Sequence, residues 1–216
     1  MKNSNKDANL KEKLKQALNS TFKVISDDFQ TNKKLEKKES LKDNDFFKLD
    51  SFNSLNDLIK ARAETDSSAL KKKFSNEEIF KKNSPLNSSC KSLYAIAEKI
   101  RCESLGGKML KGIQKNFSKN YDLMINSKRQ EQLKSKEDVN IAEAFELYML
   151  KKFHNIELNS LTMKMLSFWE NDFDHSIKKH INFLKDNFED QNKYSSKFTE
   201  ILQEMDIFQT EDIDET

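Results

Sequence analysis

RCESLGGKMLKGIQKNF, residues 101–117, holds all three glycines of a 216-residue chain. Gly106, Gly107 and Gly112 fall within seven positions. Such a concentration has two physical readings: a loop whose bare backbone cradles phosphate, or a corner where two helices turn and approach closely. Spacing excludes the first. Gly107 and Gly112 stand five apart, as in a Walker A motif. Ile113 and Gln114, however, occupy the places where Lys and Ser/Thr must reach phosphate and magnesium. No apolar strand precedes the stretch, and the three glycines cannot be set into G-x-G-x-x-G. The second reading predicts a helix ending at Leu105, closed by Gly106 or Gly107 in the left-handed conformation. Gly112 then lies inside the next helix, where it costs about 1 kcal/mol relative to alanine, and marks a close helix crossing.

Working outward, the flanks carry helical periodicity. Upstream, SSCKSLYAIAEKIRCESL sets Leu93, Ile96, Ala97, Ile100 and Leu105 on one face; downstream, Met109, Leu110, Ile113 and Phe117 begin another helix. Ser54 with Asp57 forms a capping-box pattern before Leu55, Leu58, Ile59, Ala69, Leu70 and Phe74, and Ser75 with Glu78 repeats the device before a short helix that Pro85 ends. The remainder holds apolar stripes through Ile141, Phe145 and Tyr148, then Leu161, Met165, Trp169 and Phe173, then Ile177, Ile181, Leu184 and Phe188, then Phe198, Leu202 and Met205. Three glycines, one proline and only two valines (Val24 and Val139) leave little for a sheet. The fold class is therefore mainly α: a single helical domain of about six to eight helices over 53–208, with at most a short strand near the N-terminus. Residues 1–52 read as a looser segment: a short helix at 9–19, a strand in TFKVISDDF (21–29), and a charged connector at 30–50. Residues 209–216 open an acidic linker.

Composition narrows the function. Net charge is +2, from 38 basic and 36 acidic side chains. That balance argues against nucleic acid as a target, despite ten lysines against six acids in the first forty residues. No targeting segment and no apolar run of about eighteen residues is visible, which points to a cytoplasmic protein without membrane attachment. Cys90 and Cys102, twelve positions apart on one helix, would stand roughly 18 Å apart, too far for a disulfide, and read as small buried residues. His175 and His180 fall on opposite sides of a helix and His154 stands alone, so the histidines read as surface or helix-end residues and no metal site is expected. No nucleophile has a base at a recognisable spacing, and paired carboxylates such as Asp172 and Asp174 read as solvated. Neither catalytic nor cofactor-binding residues are expected in this chain.

Three collinear segments resemble the N-terminal region of the CobT subunit of the ATP-dependent aerobic cobaltochelatase. In RAETDSSALKKKFSNEEIFKKNSP (62–85), Arg62, Asp66, Ala69, Leu70 and Pro85 match the family's pattern, while Ala63 and Thr65 depart from it. In YAIAEKIRCESLGGKMLKGIQKNF (94–117), Arg101, Glu103, Leu105, Gly106, Gly112 and Asn116 fall in register. In the stretch 166–207, Trp169, Asp190, Gln191, Met205 and Asp206 match. The resemblance implies a part in cobalamin biosynthesis. In that family the enzyme, a ligase forming nitrogen–metal bonds, inserts Co2+ into hydrogenobyrinic acid a,c-diamide at the expense of ATP with Mg2+. The implied partners are a CobS-type AAA+ ATPase and a CobN-type large subunit, with a homo-oligomer as a further option. An acidic linker and an integrin-like domain would follow this region, so the chain reads as a truncated or excised N-terminal part. Arg62, Asp66, Arg101, Glu103, Gly106, Gly112, Asn116, Trp169, Asp190 and Gln191 are its family-matching positions, expected to be structural. The other class of function open at this stage is a free-standing helical adaptor or nucleic-acid-binding module.

Overall fold

A computed structural model describes residues 2–28, 54–127 and 133–205. The regular elements among them are helical, and they form the mainly-α single domain that the composition implies. The connector at 30–50 and the acidic end at 209–216 lie outside the described residues.

Helix α1 (Lys2–Ser26) runs along α2 (Leu55–Phe74). The expected strand does not form: residues 21–26 are the last turns of α1. Leu18, Phe22 and Ile25 recur at i, i+4 and i+7, and Leu18 and Ile25 are buried, whereas Val24 is 61% exposed. A helical stripe facing α2 thus outweighs the short alternation of Phe22 and Val24. Asp27 closes the helix in the left-handed conformation (φ 56°), and Asp28 N–H bonds the Lys23 carbonyl at 3.1 Å. That closure is usually given to glycine. Asp27 and Asp28 pair with Lys73 and Lys72, which fastens the end of α1 to the last turn of α2.

Caps set the next boundaries. Asp57 N–H donates to Ser54 Oγ at 3.2 Å and Asp57 Oδ2 accepts from Ser54 N–H at 2.9 Å, the capping box read from the sequence. The second box is displaced by one residue. Asn76, rather than Ser75, caps α3 (Glu77–Lys82), its Oδ1 accepting from the N–H groups of Glu78 and Ile79. Ser75 ends α2, and its hydroxyl serves the interior instead.

Helix α4 (Ser88–Met109) is the axis of the domain, with α2, α5 (Lys111–Ser127), α6 (Ile141–Met149) and α10 (Gln191–Gln203) packed around it. Leu93, Tyr94, Ala97 and Ile100 are fully buried along it. Cys90 and Cys102 are both free and buried on this helix. Burial and the neighbouring Glu98 push the Cys102 thiol up to about 12, so it stays protonated and inert. Past α6 the chain divides into short pieces: a π-turn (Leu150–His154), α7 (Ser160–Ser167), α8 (Glu170–Ile177), a 3-10 turn (Lys178–His180) and α9 (Ile181–Asp186). They wrap an aromatic cluster. The Phe173 ring lies 5.4 Å from both Phe145 and Tyr148, and Phe145 lies 6.0 Å from Phe198 of α10. No helix of the described residues is long and apolar enough to cross a membrane.

Phe173 joins α6 and α8 and is fully buried. Phe173→Ala should destabilise the domain by about 3–5 kcal/mol. Urea unfolding should show a lowered midpoint at unchanged slope.

Candidate functional site

Arg101, Glu103 and Gln191 meet in hydrogen-bond networks on or against α4. Its buried stripe Tyr94, Glu98, Arg101, Leu105 carries two charges among apolar neighbours. Arg101 and Glu98 are 1% and 2% exposed. Arg101 Nε and Nη2 donate to the two oxygens of Glu98, each at 2.8 Å. The guanidinium then reaches out of its own helix: Nη2 donates to the Phe74 carbonyl at 2.6 Å and Nη1 to the Phe188 carbonyl at 2.7 Å. Phe74 is the last residue of α2, and Phe188 lies in the turn between α9 and α10, so one side chain satisfies an orphan carbonyl of α2 and a loop carbonyl ahead of α10. Gln191, at the start of α10, completes the ring. Its Nε2 donates to Glu98 Oε1 at 3.0 Å and to the Asn76 carbonyl at 3.1 Å, and its Oε1 accepts from Asn76 N–H at 2.7 Å. Ser75 Oγ donates to Glu98 Oε1 at 2.6 Å. Burial opposes the charge on Arg101, but the Glu98 carboxylate more than compensates and holds it above the usual arginine range.

A second network lies one turn further along α4. Glu103, also buried, accepts from Ser67 Oγ of α2 at 2.7 Å and from the Tyr121 hydroxyl of α5. Lys99 donates to Glu146 of α6 at 2.9 Å and lies 5.4 Å over the Tyr121 ring. Burial works against its ammonium, yet Glu103 and Glu146 together keep it charged. On the other flank of α2, Asn116 Nδ2 donates to Asp66 Oδ2 at 2.7 Å. Burial raises the Asp66 carboxyl above its usual range, against the Asn116 hydrogen bond and the Arg62 charge, which lower it. Each network ties α4 or α5 to α2 through groups that would cost several kcal/mol if left unpaired.

The glycines take different roles from those expected. Helix α4 runs through Gly106 and Gly107 to Met109, and no described glycine has a positive φ. Leu110 makes the corner in extended conformation (φ −139°, ψ 113°), its N–H bonding the Gly106 carbonyl and its own carbonyl accepting from Ile113 N–H. An extended single residue turns the chain without a left-handed position, so no glycine is needed there. The close approach belongs to Gly106. A Cβ added there would lie 2.3, 2.5 and 2.9 Å from Leu70 Cδ1, Cδ2 and Cγ. Gly112 meets nothing within 4 Å, so the helix crossing expected there does not occur. It lines a groove with Arg62, Asp66 and Asn116 instead.

Of the family-matching residues, Arg101 and Gln191 share one network, Glu103 and Gly106 face α2 one turn on, and Arg62, Asp66, Gly112 and Asn116 share the groove at the start of α5. Two stand apart. Trp169 Nε1 donates to the Val139 carbonyl at 3.2 Å, with Lys136 Nζ 4.2 Å over its ring. Asp190 caps α10, accepting from Lys193 N–H at 3.0 Å. Sequence reasoning missed Glu98, Ser75, Lys99 and Tyr121. For Glu98 a signal existed: it occupies the same i, i+4, i+7, i+11 stripe as Tyr94, Arg101 and Leu105.

His154 was expected at the surface or a helix end. It does end the π-turn, but it is half-buried and engaged. Ser104 Oγ is committed as donor to the Ile100 carbonyl at 2.7 Å, so His154 Nε2 carries the hydrogen and donates to Ser104 Oγ at 3.1 Å. Burial lowers its pKa below the ordinary value, against the raising pull of Glu103. His154 borders a cleft of about 430 Å3 between the end of α4, the start of α5, the π-turn and α9. Among the described residues no three of His, Cys, Asp and Glu gather where a metal ion could sit.

The family model described as Cobalamin biosynthesis protein CobT matches residues 8–216, nearly the whole chain. The chain belongs to that family. No curated protein and no solved structure matches it.

Two measurements check this geometry. Gly106→Ala should lose about 2 kcal/mol, because a displaced, fully buried Leu70 costs about 3 kcal/mol and helix propensity returns only about 1. Gly112→Ala, with open space above it, should gain up to about 1 kcal/mol; equal shifts of the two melting temperatures would contradict the assignment. The His154 ring should titrate below about 6.5 by NMR. Its folded pKa is depressed, so the stability that its neutral form contributes is present above about 6.5 and is lost as pH falls through the folded value.

Proposed function

From membership of the CobT family, we propose that this chain is the N-terminal region of a CobT-type subunit of ATP-dependent cobaltochelatase. It acts as a docking and assembly module for a CobS-type AAA+ ATPase and a CobN-type large subunit. In this reading ATP with Mg2+ is handled by the AAA+ subunit, and Co2+ and the corrin substrate by the large subunit. The observation that carries the proposal is the family match over residues 8–216. The interior supports it. Of the side chains that carry the resemblance, Arg101, Glu103 and Gln191 have their polar atoms engaged by other parts of the same chain, and Asn116 bonds Asp66. Groups spent in this way fix a shape, and a fixed shape is what an assembly module presents to its partners.

Surface features suit association. Met109 and Leu110 are 41% and 48% exposed at the α4–α5 corner, with Val24 of α1 bordering the same groove as Leu110 and Gly112. This apolar ledge could meet a partner without disturbing the polar networks beneath it.

Co-expressed with the CobS-type ATPase, the tagged chain should retain it through purification and should show no ATP turnover by itself. ATP hydrolysis by the isolated chain would overturn the division of labour. Steeply salt-dependent binding to arbitrary DNA, with no retention of the ATPase, would replace the proposal with a nucleic-acid-binding one.

A further inference from the structure

The cleft beside His154 has a chemistry that the internal networks do not use. Its floor is aromatic and apolar, with Phe117, Phe153 and Phe188 among the lining residues. Two cations lie over that floor: Lys108 Nζ is 5.4 Å from the centroid of Phe188, and Lys185 Nζ is 5.6 Å from that of Phe153. Among the described residues neither lysine forms an ion pair, whereas Lys72, Lys73, Lys99, Lys136, Lys151 and Lys152 all pair with carboxylates. The one carboxylate lining the cleft is Glu103, whose two oxygens already accept from Ser67 and Tyr121. Those bonds come from neutral hydroxyls, so the lining carries two cations against one buried carboxylate, a net positive charge over aromatic faces.

The wall of the cleft carries a second observation. Gly107 lies inside α4, where glycine costs about 1 kcal/mol relative to alanine. A Cβ built there would meet only Gln114, at an ordinary 3.5 Å, so packing within the domain does not demand glycine. Its effect is to leave the cleft wall bare. The π-turn that also lines the cleft is capped by Asn155, a non-glycine residue in the left-handed conformation (φ 53°). Both features are uncommon, and π-turns gather at functional sites. The volume, about 430 Å3, falls within the range of small-molecule sites.

We infer that this cleft binds a small organic anion with a flat apolar body. The body rests on the rings of Phe153 and Phe188 beside Gly107, and the acid group is drawn to Lys108 and Lys185. The inference goes beyond the docking role, and it stands on a different part of the surface from the α1–α5 ledge.

The test uses the full chain, 15N-labelled, titrated with 2-naphthoate and followed by amide chemical shifts. Saturable shifts are expected at Gly107, Asn155 and Lys185. Two partly exposed ion pairs together amount to about tenfold in affinity, so neutral 2-naphthamide should bind about tenfold more weakly, as should the K108E/K185E variant with naphthoate. Gly107→Leu should abolish binding by filling the wall, while Gly107→Ala should leave the melting temperature unchanged or raised. The melting temperature of Gly107→Leu itself, expected to match that of the unchanged chain, separates loss of a site from loss of fold. Naphthamide binding as well as naphthoate, inorganic phosphate competing on equal terms, or shifts that never saturate would each overturn the inference.

Discussion

A single buried ion pair organises this domain. Arg101 and Glu98 sit one turn apart on the central helix, and taking two charges out of water costs several kcal/mol before their attraction is counted. The cost is offset because every guanidinium nitrogen and both carboxylate oxygens are hydrogen-bonded. The guanidinium spends its donors on Glu98 and on the carbonyls of Phe74 and Phe188, and the carboxylate collects Ser75 and Gln191 as well. Those partners come from the end of α2 and from the turn into α10, more than a hundred positions apart in sequence. The pair therefore specifies how helix ends meet, a geometric demand that apolar packing alone would satisfy in several ways.

The same logic explains what the sequence disclosed and what it withheld. Periodicity and caps are local, so the helices and the Ser54 box were legible. Phe22–Val24–Ser26 also had a local alternation, but it was overruled by a stripe visible only when Leu18 and Ile25 are seen to share a face against α2. Asp27 hid the end of α1 because a left-handed aspartate is less recognisable than a glycine in that place. Ser75 and Asn76 are both good caps, and which one serves was decided by Glu98 and Gln191, far away in the chain. Tertiary hydrogen bonds chose between two equal local options.

The glycines show how far composition can mislead about mechanism while being right about importance. Clustering identified the region correctly as a place where helices meet. It could not say which glycine does what, because the deciding quantity is the space above each Cα. Leu70 fills that space at Gly106, Gln114 stands back from Gly107, and nothing approaches Gly112. One is demanded by packing, and two are tolerated against helix propensity.

That asymmetry bears on how such a domain divides its surface. A residue whose polar atoms are satisfied inside, such as Arg101 or Gln191, constrains shape and leaves little over for recognition. The capacity for recognition lies in what remains unspent: the apolar ledge at Met109 and Leu110, and two cations held over aromatic rings rather than against carboxylates. Arg101, Glu98, Gln191 and Glu103 thus build the frame. The chemistry offered to other molecules is carried by neighbours one or two turns away, which the frame holds in place.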